Sequence, residues 1–333
     1  MTNRIYIIAE GGVNHNGDVK KAKILIRKAK NAGADAIKFQ YYKTENIVSK
    51  KSPKAKYQKE NEKKFNNQFD MLKKYEIKFS DLILIKNEAK KLKIDFFVSI
   101  FDHDDFSDIK KLNLPFFKIP SGEINNVPLL KKVGKANRKT IISTGMSRMK
   151  EIKKALDILK KTGLKKEKLT ILHCNTAYPT PLNNVNLKAM INIKNKFKVS
   201  VGYSDHTETD LTSLVAVSLG AEVIEKHLTL SKRLEGPDHK TSLNPIEFKN
   251  MVRTIRTIEK ILGSSSKFVT TSEEKNKNLV RKSIVAKKKI KKGEVFSEKN
   301  LTLIRPAGGK SPYFWDRFIG KKSKRNYSKY EKI

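Results

Sequence analysis

The chain has 333 residues, a mass of 38.1 kDa and a formal net charge of +38, from 72 Lys and Arg against 34 Asp and Glu. A hydrophobic content of 38% and a single cysteine, Cys174, exclude a disordered chain and an internal disulfide framework, and they indicate a reducing compartment. No run approaches the ~20 apolar residues that cross a bilayer, and the N-terminus reaches Glu10 too early for a signal peptide. We therefore expect a soluble cytoplasmic protein with no membrane partner.

The basic excess raises the question of nucleic-acid binding, because basic surfaces attract phosphate backbones. Only 11 of the 72 cations are arginine, and the lysines are spread along helical segments, as in Lys150–Lys168, rather than gathered in one tail. Phosphate and base recognition favours arginine forks. We predict no nucleic-acid partner and keep a non-catalytic polyanion-binding protein as a remote alternative. The diffuse charge would still steer a small anionic substrate.

Short segments rich in β-branched and aromatic residues recur through the first two thirds of the chain, and each predicts a strand. They are Ile5–Glu10, Ala36–Tyr41, Asp95–Phe101, Phe116–Ile119, Thr140–Thr144, Leu169–Cys174, Lys198–Tyr203 and Glu222–Leu228. Between most of them lie amphipathic helical segments such as Val19–Ala34 and Pro245–Leu262. About eight strand–helix units within ~260 residues predict a closed (β/α)8 TIM barrel. An open doubly wound sheet is the alternative, but no Gly-x-Gly-x-x-Gly turn follows the first strand.

The composition changes after Gly263, and this change divides the predicted domains. Residues 264–280 are polar and predict a linker between the barrel domain, residues 1–263, and a C-terminal domain, residues 281–333. Strand patterns at Ser283–Ala286 and Leu301–Ile304, separated by glycine turns, predict that the second domain is small and β-rich. Because ~50 residues bury little core of their own, we expect this domain to pack on the barrel or on another subunit.

Active sites of (β/α)8 barrels lie at the C-terminal ends of the strands. All eight predicted strands end in polar residues: Glu10, Lys38 and Gln40, Ser99 and Asp102, Lys118, Ser121 and Glu123, Ser143 and Thr144, Asn175, Thr176 and Tyr178, Ser204, Asp205 and His206, and Glu225 and His227. Residues two apart point to the same side of a strand, so Lys38 and Gln40, like Glu225 and His227, share a direction. The sequence therefore predicts one cleft lined by these side chains.

His206 and His227 are candidate metal ligands. They end neighbouring strands, which lie ~4.8 Å apart, so both imidazoles can reach one ion. Imidazole with water and carboxylate oxygens suits Mn²⁺ better than a closed zinc site, with Mg²⁺ or Co²⁺ as alternatives. Such an ion polarises a carbonyl or activates water. The structural alternative is that each histidine is a hydrogen-bonded residue of the rim.

Lys38 and Lys118 bring two ammonium groups to the same rim. Four serines accompany them, at positions Ser99, Ser121, Ser143 and Ser204. Ammonium and hydroxyl donors are what a phosphate monoester or a carboxylate needs for binding. In the structural alternative, each lysine pairs with a glutamate, among Glu10, Glu123 and Glu225.

Eight segments, in order along nearly the whole chain, resemble the N-acetylneuraminate (sialic acid) synthase family. They are IAEGGVNHNGD at 8–18, GADAIKFQ at 33–40, KIPSGE at 118–123, STGM at 143–146, HCNTAYPTP at 173–181, GYSDH at 202–206, IEKH at 224–227 and GPDHK at 236–240. Residues 281–333, with KGE at 292–294 and RP at 305–306, resemble the antifreeze-like (SAF) domain that ends these synthases.

The resemblance implies an enzyme that condenses phosphoenolpyruvate with open-chain N-acetylmannosamine and water, giving N-acetylneuraminate and phosphate. It implies that His206 and His227 bind the divalent ion. It assigns phosphoenolpyruvate to Lys38, Ser99, Lys118, Ser121, Ser143, Asn175, Thr176 and Ser204, and the sugar to Glu10, Gln40, Tyr178, Asp238 and Arg305. In the family the small domain covers the partner's barrel, so a domain-swapped homodimer is expected, with Arg305 completing the neighbouring site.

For the chemical steps, Glu123 and Glu225 are the candidates for proton transfer, and Lys38 and Lys118 are the candidates for stabilising the departing phosphate. The close alternative is a legionaminate synthase that acts on 2,4-diacetamido-2,4,6-trideoxymannose. The segment GPDHK favours the sialic and legionaminic branches over the pseudaminic branch. Ala177 stands where related sequences usually carry an acidic residue, so the sequence alone leaves the sugar open.

Overall fold

A computed structural model describes residues 4–333, which form two compact units divided after Gly263. The first three residues belong to the N-terminus that we expect not to be a signal peptide, and they lie outside the described residues. In the described part of the chain, no helix combines the length and the apolarity that a membrane crossing requires.

The first unit is a closed barrel of eight parallel strands arranged in sequence order. The strands are β1 (Tyr6–Gly12), β2 (Ala36–Tyr41), β3 (Asp95–Ile100), β4 (Phe117–Ile119), β5 (Thr140–Ser143), β6 (Leu169–Cys174), β7 (Ser200–Asp205) and β8 (Val223–His227). Each lies within two residues of a predicted segment. The predicted (β/α)8 barrel is therefore confirmed.

Helices surround the barrel and bury their apolar faces against it. They are α1 (Val19–Ala32), α2 (Thr44–Ile47), α3 (Lys56–Asn61), α4 (Gln68–Tyr75), α5 (Phe79–Lys91), α6 (Phe106–Lys111), α7 (Val127–Ala136), α8 (Met149–Lys161), α9 (Lys188–Phe197), α10 (Leu211–Ser218) and α11 (Pro245–Leu262). In α1, Asp18 caps the N-terminus by accepting two backbone N–H groups, and Gly33 ends the helix at φ +87°. The buried positions of α1 include Leu25 and Ile26, which lie on the predicted apolar face.

The connection between β2 and β3 is unlike the others, because it holds four helices, α2 to α5. Only α5 is in the usual place of a barrel helix, between the preceding loop and the next strand. The segment carrying α3 is tied to the loop after β8 by a hydrogen bond of 2.9 Å from Asn61 Nδ2 to the Pro237 carbonyl. Residues of α2, α3 and α4 consequently lie at the C-terminal mouth of the barrel, where they line the cavity described below.

The register of β1 with its two neighbouring strands places charged residues next to one another. Glu10 is paired with Lys38 on one side and with His227 on the other. Because side chains alternate along a strand, Glu225 and His227 face the barrel interior, whereas Lys226 points outward toward the helices. The partner of Lys226 there is the buried carboxylate of Asp205, 3.0 Å away.

The second unit, residues 264–333, has a core of its own. It contains α12 (Thr271–Val280), an antiparallel pair of β9 (Ser283–Ala286) and β10 (Leu301–Ile304), and α13 (Trp315–Phe318). Its buried residues include Ile284, Phe296 and Leu301. The segment predicted as a polar linker, 264–280, thus contains the helix α12, whose side chains are mostly exposed.

Candidate active site

A cavity of about 330 Å³ opens at the C-terminal mouth of the barrel, and all eight strands contribute to its lining. The strand residues that line it are Glu10, Lys38, Gln40, Ser99, Lys118, Ser143, Cys174, Ser204, Glu225 and His227. The loops that follow the strands add Ser121, Glu123, Thr176, Tyr178 and His206. Fourteen of the seventeen predicted site residues therefore share one cavity, at the position where barrels of this class place their chemistry.

Two lysines and two glutamates form a buried charge cluster in this cavity. Lys38 Nζ lies 2.6 Å from Glu10 Oε2 and 3.7 Å from Glu225 Oε2, and it donates to Ser99 Oγ at 2.8 Å. Lys118 Nζ lies 3.2 Å from Glu225 Oε1. The four charged side chains are at most 5% exposed. Burying such charges is costly unless they are paired, and here each ammonium group has a carboxylate partner.

The two lysines and two glutamates of this cluster have different numbers of charged partners, and their pKa values shift in different directions. Burial lowers the pKa of Lys38, but Glu10 and Glu225 outweigh this effect and hold the pKa above its ordinary value. At Lys118 burial prevails over the attraction of Glu225, so the pKa is lowered. Burial raises the pKa of Glu225, but the two lysines outweigh it and hold the pKa below its usual range. Burial raises the pKa of Glu10 to about 7, against the opposing effect of Lys38. The two carboxyl groups are therefore shifted in opposite directions, so that the charged form of Glu225 is favoured and that of Glu10 is disfavoured.

Hydroxyl groups surround the charge cluster. Ser204 Oγ donates to Glu225 Oε1 at 2.9 Å, and Ser121 Oγ accepts from the Gly145 N–H at 3.0 Å. The buried Ser143 Oγ has no hydrogen-bond partner among residues 4–333. Because an unpaired buried hydroxyl costs ~1–3 kcal/mol, such a group is suited to bind a ligand oxygen.

Glu123 lies at the rim, in the 3₁₀ turn Ser121–Glu123 that follows β4. Its carboxylate accepts a hydrogen bond of 2.7 Å from Asn126 Nδ2, and burial raises its pKa. In the described residues, neither Lys38 nor Lys118 forms an ion pair with it. The lysines are paired with Glu10 and Glu225, and Glu123 lines the cavity without a lysine partner.

The two predicted metal ligands meet at the ends of β7 and β8. The imidazole centroids of His206 and His227 are 5.5 Å apart. The Nδ1 of His206 is hydrogen-bonded to the Asn175 carbonyl, and its Nε2 accepts from the Tyr178 hydroxyl at 2.9 Å. The buried Nδ1 of His227 has no hydrogen-bond partner among residues 4–333, and Asp238 Oδ2 lies 3.9 Å away.

These features fit a divalent ion. Burial lowers the pKa of His206 to about 4 and that of His227 well below its ordinary value, so both rings are neutral, which is the form that ligates metals. A carbonyl hydrogen bond to the Nδ1 of His206 fixes its tautomer, so Nε2 is the nitrogen without a hydrogen, and an ion would take the place of the Tyr178 hydroxyl there. Two imidazoles leave further coordination positions for water or substrate oxygens.

A separate group of oxygen and nitrogen ligands lies beyond the end of β3. Asp102, His103 and Asp104 bring one ligand atom each within 4.8 Å of one another. Asp102 Oδ2 already accepts the backbone N–H of Asp104 at 2.8 Å, and the group does not line the cavity. Exposed acidic groups of this kind are common, so the group does not compete with the histidine pair as a candidate.

An aromatic stack covers one face of the histidine pair. The ring of Tyr178 stacks on His206 at 4.1 Å between centroids and on Tyr57 of α3 at 5.0 Å. Sequence reasoning identified Tyr178 but missed Tyr57. The signal was present only as an aromatic residue in a lysine-rich segment with no strand or long helical pattern.

Three of the seventeen predicted site residues do not line the cavity, and neither do three other strand-end residues that the sequence placed in the cleft, Asp102, Thr144 and Asp205. The side chain of Asn175 turns away, because its Oδ1 accepts the Ala177 N–H at 2.7 Å. Its contribution is the carbonyl that holds His206, a role that the side chain did not predict. Asp238 is buried behind His227, where burial raises its pKa to about 7. Arg305 belongs to the second unit, immediately after β10, so its predicted contact with a sugar stays a prediction.

Comparisons with known proteins match most of the chain. The NeuB family profile matches residues 25–267, and the SAF domain profile matches residues 281–329. An N,N'-diacetyllegionaminic acid synthase of Campylobacter jejuni is 51% identical over 330 residues, which cover 98% of each chain. A second protein of that name, from Legionella pneumophila, is 42% identical over 97% of this chain and 91% of the relative.

A solved structure extends the comparison to the fold. The sialic acid synthetase of Leptospira borgpetersenii, crystallised in complex with citrate, has a TM-score of 0.74 and 33% sequence identity. The alignment covers 83% of this chain and 90% of that chain. Enzymes of this family use a divalent metal. The chain belongs to the NeuB family of phosphoenolpyruvate-dependent nonulosonic acid synthases and ends in a SAF domain.

Proposed function

We propose that the enzyme condenses phosphoenolpyruvate with 2,4-diacetamido-2,4,6-trideoxymannose and water, giving N,N'-diacetyllegionaminic acid and phosphate. The observation that carries the reaction type is the single cavity in which two ammonium groups lie beside two neutral imidazoles. The choice of sugar is supported by the two relatives named as legionaminic acid synthases. They favour this sugar over N-acetylmannosamine, which the sequence motifs placed first.

The phosphoenolpyruvate end is assigned to the charged part of the cavity. Lys38 and Lys118 supply positive charge for its phosphate and carboxylate, and they stabilise the phosphate as it leaves. Hydroxyls for its oxygens come from Ser99, Ser121, Ser143, Thr176 and Ser204, which all line the cavity. The unpaired Ser143 hydroxyl supports this assignment most directly.

The sugar aldehyde is assigned to the histidine side. His206 and His227 would hold the divalent ion, Mn²⁺ first with Mg²⁺ or Co²⁺ as alternatives, and a bound ion of this kind polarises a carbonyl oxygen. Gln40 and Tyr178 line the cavity beside them and would contact the sugar, with Glu10 below. Asp238, whose Oδ2 lies 3.9 Å from His227 Nδ1, does not line the cavity, so its contact with the sugar stays a prediction.

Proton transfer is divided among three carboxyl groups. Carbon 3 of phosphoenolpyruvate attacks the aldehyde carbon, and the new alkoxide takes a proton. Glu123 and Glu10, whose pKa values are raised, are suited to donate it. The attack consumes the C2–C3 double bond and leaves an oxocarbenium ion at carbon 2. Water adds there and gives up a proton, for which the carboxylate of Glu225 is the acceptor, and the resulting hydroxyl becomes the ketone, with loss of its proton, as the C–O bond to phosphate breaks.

The test is phosphate release by the purified full chain. We expect release only when phosphoenolpyruvate, a divalent ion and the sugar are all present, with a higher kcat/KM for the diacetamido sugar than for N-acetylmannosamine. His206→Ala and His227→Ala should each abolish release, whereas the surface variant His103→Ala should not. A preference for N-acetylmannosamine would replace the proposed sugar, and full activity in both active-site variants would overturn the metal assignment.

The swapped dimer is testable by complementation. Arg305→Ala is expected to weaken sugar binding, and Lys118→Met to block turnover, so each homodimer is poorly active. If Arg305 serves the partner's cavity, the mixed dimer of these two variants contains one intact site, and co-expression restores activity. Activity that stays at the level of the separate variants would show that Arg305 serves its own chain or no site.

A further inference from the structure

The cavity is lined by two unlike surfaces. One carries the charged and hydroxyl groups of the barrel strands. The other, which we call the apolar wall, consists of Tyr42, Ile47, Val48, Leu72 and Phe101, and all five line the same cavity. None of these residues has a part in the chemistry assigned above.

Hydrogen bonding and packing hold the residues of the apolar wall in place. The Tyr42 hydroxyl donates to the Leu72 carbonyl at 3.1 Å, and the Tyr42 ring meets Phe101 edge-on at 5.7 Å between centroids. Ile47 ends α2, which packs on α4, the helix that carries Leu72. Ile47, Val48 and Leu72 are half-buried, so each keeps a surface free to contact a ligand.

The wall also has a defined place around the barrel. It rises from the ends of β2 and β3 and from the helices between them. In a closed ring of eight strands in sequence order, β6 and β7 lie across the barrel from these two strands. The ends of β6 and β7 carry Tyr178 and His206. A sugar whose aldehyde lies at His206 therefore has the apolar wall in the same cavity for its other end.

We propose that the apolar wall selects the sugar by receiving the methyl groups at its non-reacting end. This inference rests on the proposed function, in which the sugar carries a methyl group at C6 and an acetamido group at C4. N-acetylmannosamine has hydroxyls at both positions, and the wall offers them few partners once water is displaced. Gln68, beside the wall, lines the cavity and supplies an amide for the acetamido carbonyl. The two sugars differ at C6 by one hydroxyl, and an apolar pocket discriminates against an added hydroxyl by at most roughly 10²-fold in kcat/KM.

The experiment compares three sugars: N-acetylmannosamine, its 6-deoxy analogue and the 2,4-diacetamido-2,4,6-trideoxy sugar. Wild type should favour the 6-deoxy analogue over N-acetylmannosamine by about tenfold or more in kcat/KM. Val48→Thr and Leu72→Gln should each reduce that ratio severalfold. Matched controls on outer helix faces, Val215→Thr and Leu84→Gln, should leave it unchanged. Because both sugars are assayed on one preparation, any inactive fraction cancels from the ratio.

The outcomes separate the two proposals. A 6-deoxy preference that survives unchanged in both wall variants, or that is absent from wild type, overturns the role of the apolar wall. A wild type that rejects the diacetamido sugar but retains a wall-dependent 6-deoxy preference overturns the proposed sugar and leaves the wall's selectivity standing. Loss of the preference in the control variants as well would also overturn the assignment to the wall.

Discussion

Two buried ion pairs share one strand, β8, and differ in how completely they are satisfied. On the inner side Glu225 pairs with Lys118 at 3.2 Å, and on the outer side Lys226 pairs with Asp205 at 3.0 Å. The outer pair is fully enclosed, with both side chains 0% exposed. The inner pair borders the cavity, and Glu225 Oε2 has no hydrogen-bond partner among residues 4–333.

The outer pair is saturated with partners. Asp205 accepts hydrogen bonds from Thr212 and Ser213 at 2.7 Å each, and Lys226 donates to the carbonyls of Thr207 at 2.6 Å and Thr209 at 2.8 Å. These bonds fix the loop that follows β7 and tie it to α10. A satisfied network rigidifies the fold, whereas an incompletely satisfied one retains capacity for a ligand. We therefore expect the outer pair to stabilise the fold and the inner pair to take part in substrate binding and catalysis.

The largest expected effect tests the outer pair. Lys226→Met leaves Asp205 as an uncompensated buried charge, so we expect the free energy of unfolding to fall by ~3–5 kcal/mol. Urea unfolding of the full chain measures it, and Lys153→Met, which breaks the exposed pair with Asp157, should change the free energy of unfolding far less, because exposed ion pairs contribute little to stability. If Lys226→Met and Lys153→Met were equally stable, the outer pair would stabilise the fold no more than an exposed pair does.

The inner pair should respond in the opposite manner. Lys118→Met removes a donor for the phosphate, and we expect kcat/KM for phosphoenolpyruvate to fall by ~10²- to 10³-fold. Its loss of stability should be smaller than that of Lys226→Met, because Glu225 keeps Lys38 at 3.7 Å and the Ser204 hydroxyl at 2.9 Å. Steady-state kinetics and urea unfolding on the same preparations, with surface Lys132→Met as control, give both values. A variant that is unstable but catalytically intact would reverse the assignment of the two pairs.

The sequence predicted the inner residues well because they obey simple rules. Alternating apolar segments located the strands, and the rule that barrels place chemistry at strand ends then selected Lys38, Lys118, Glu225 and His227. The position of each depended on local periodicity alone. Sequence reasoning placed Asp205 in the cleft with Ser204 and His206, and this was wrong, because its outward direction and its partner Lys226 emerge only from the register between β7 and β8.

The apolar wall and Tyr57 were beyond the reach of sequence patterns. Except for Phe101, which follows β3, these residues lie in the segment between β2 and α5. That segment is polar, its helices α2, α3 and α4 are short, and helices of this length have no clear periodicity. Their positions are set by tertiary contacts, such as the hydrogen bond from Asn61 to the distant Pro237 carbonyl. Asn175 shows the same limit, since its backbone carbonyl, rather than its side chain, holds His206.

The smallest expected effect compares two buried serine hydroxyls on the two sides of the barrel wall. Ser143 Oγ has no partner in residues 4–333, whereas Ser213 Oγ donates to Asp205 at 2.7 Å. Ser213→Ala should therefore cost ~1.5–3 kcal/mol of stability, as expected for a lost hydrogen bond to a charged group, with little change in KM.

Ser143→Ala should leave stability unchanged or slightly higher, because it removes an unpaired buried hydroxyl, and should raise KM for phosphoenolpyruvate. Unfolding curves and KM values for both variants, measured side by side, resolve the contrast. A stability loss in Ser143→Ala equal to that in Ser213→Ala would mean that the Ser143 hydroxyl is satisfied within the protein. Both serines would then stabilise the fold, and they would differ only in their exposure to the cavity. Only the two lysine variants would then distinguish the pair that stabilises the fold from the pair that serves catalysis.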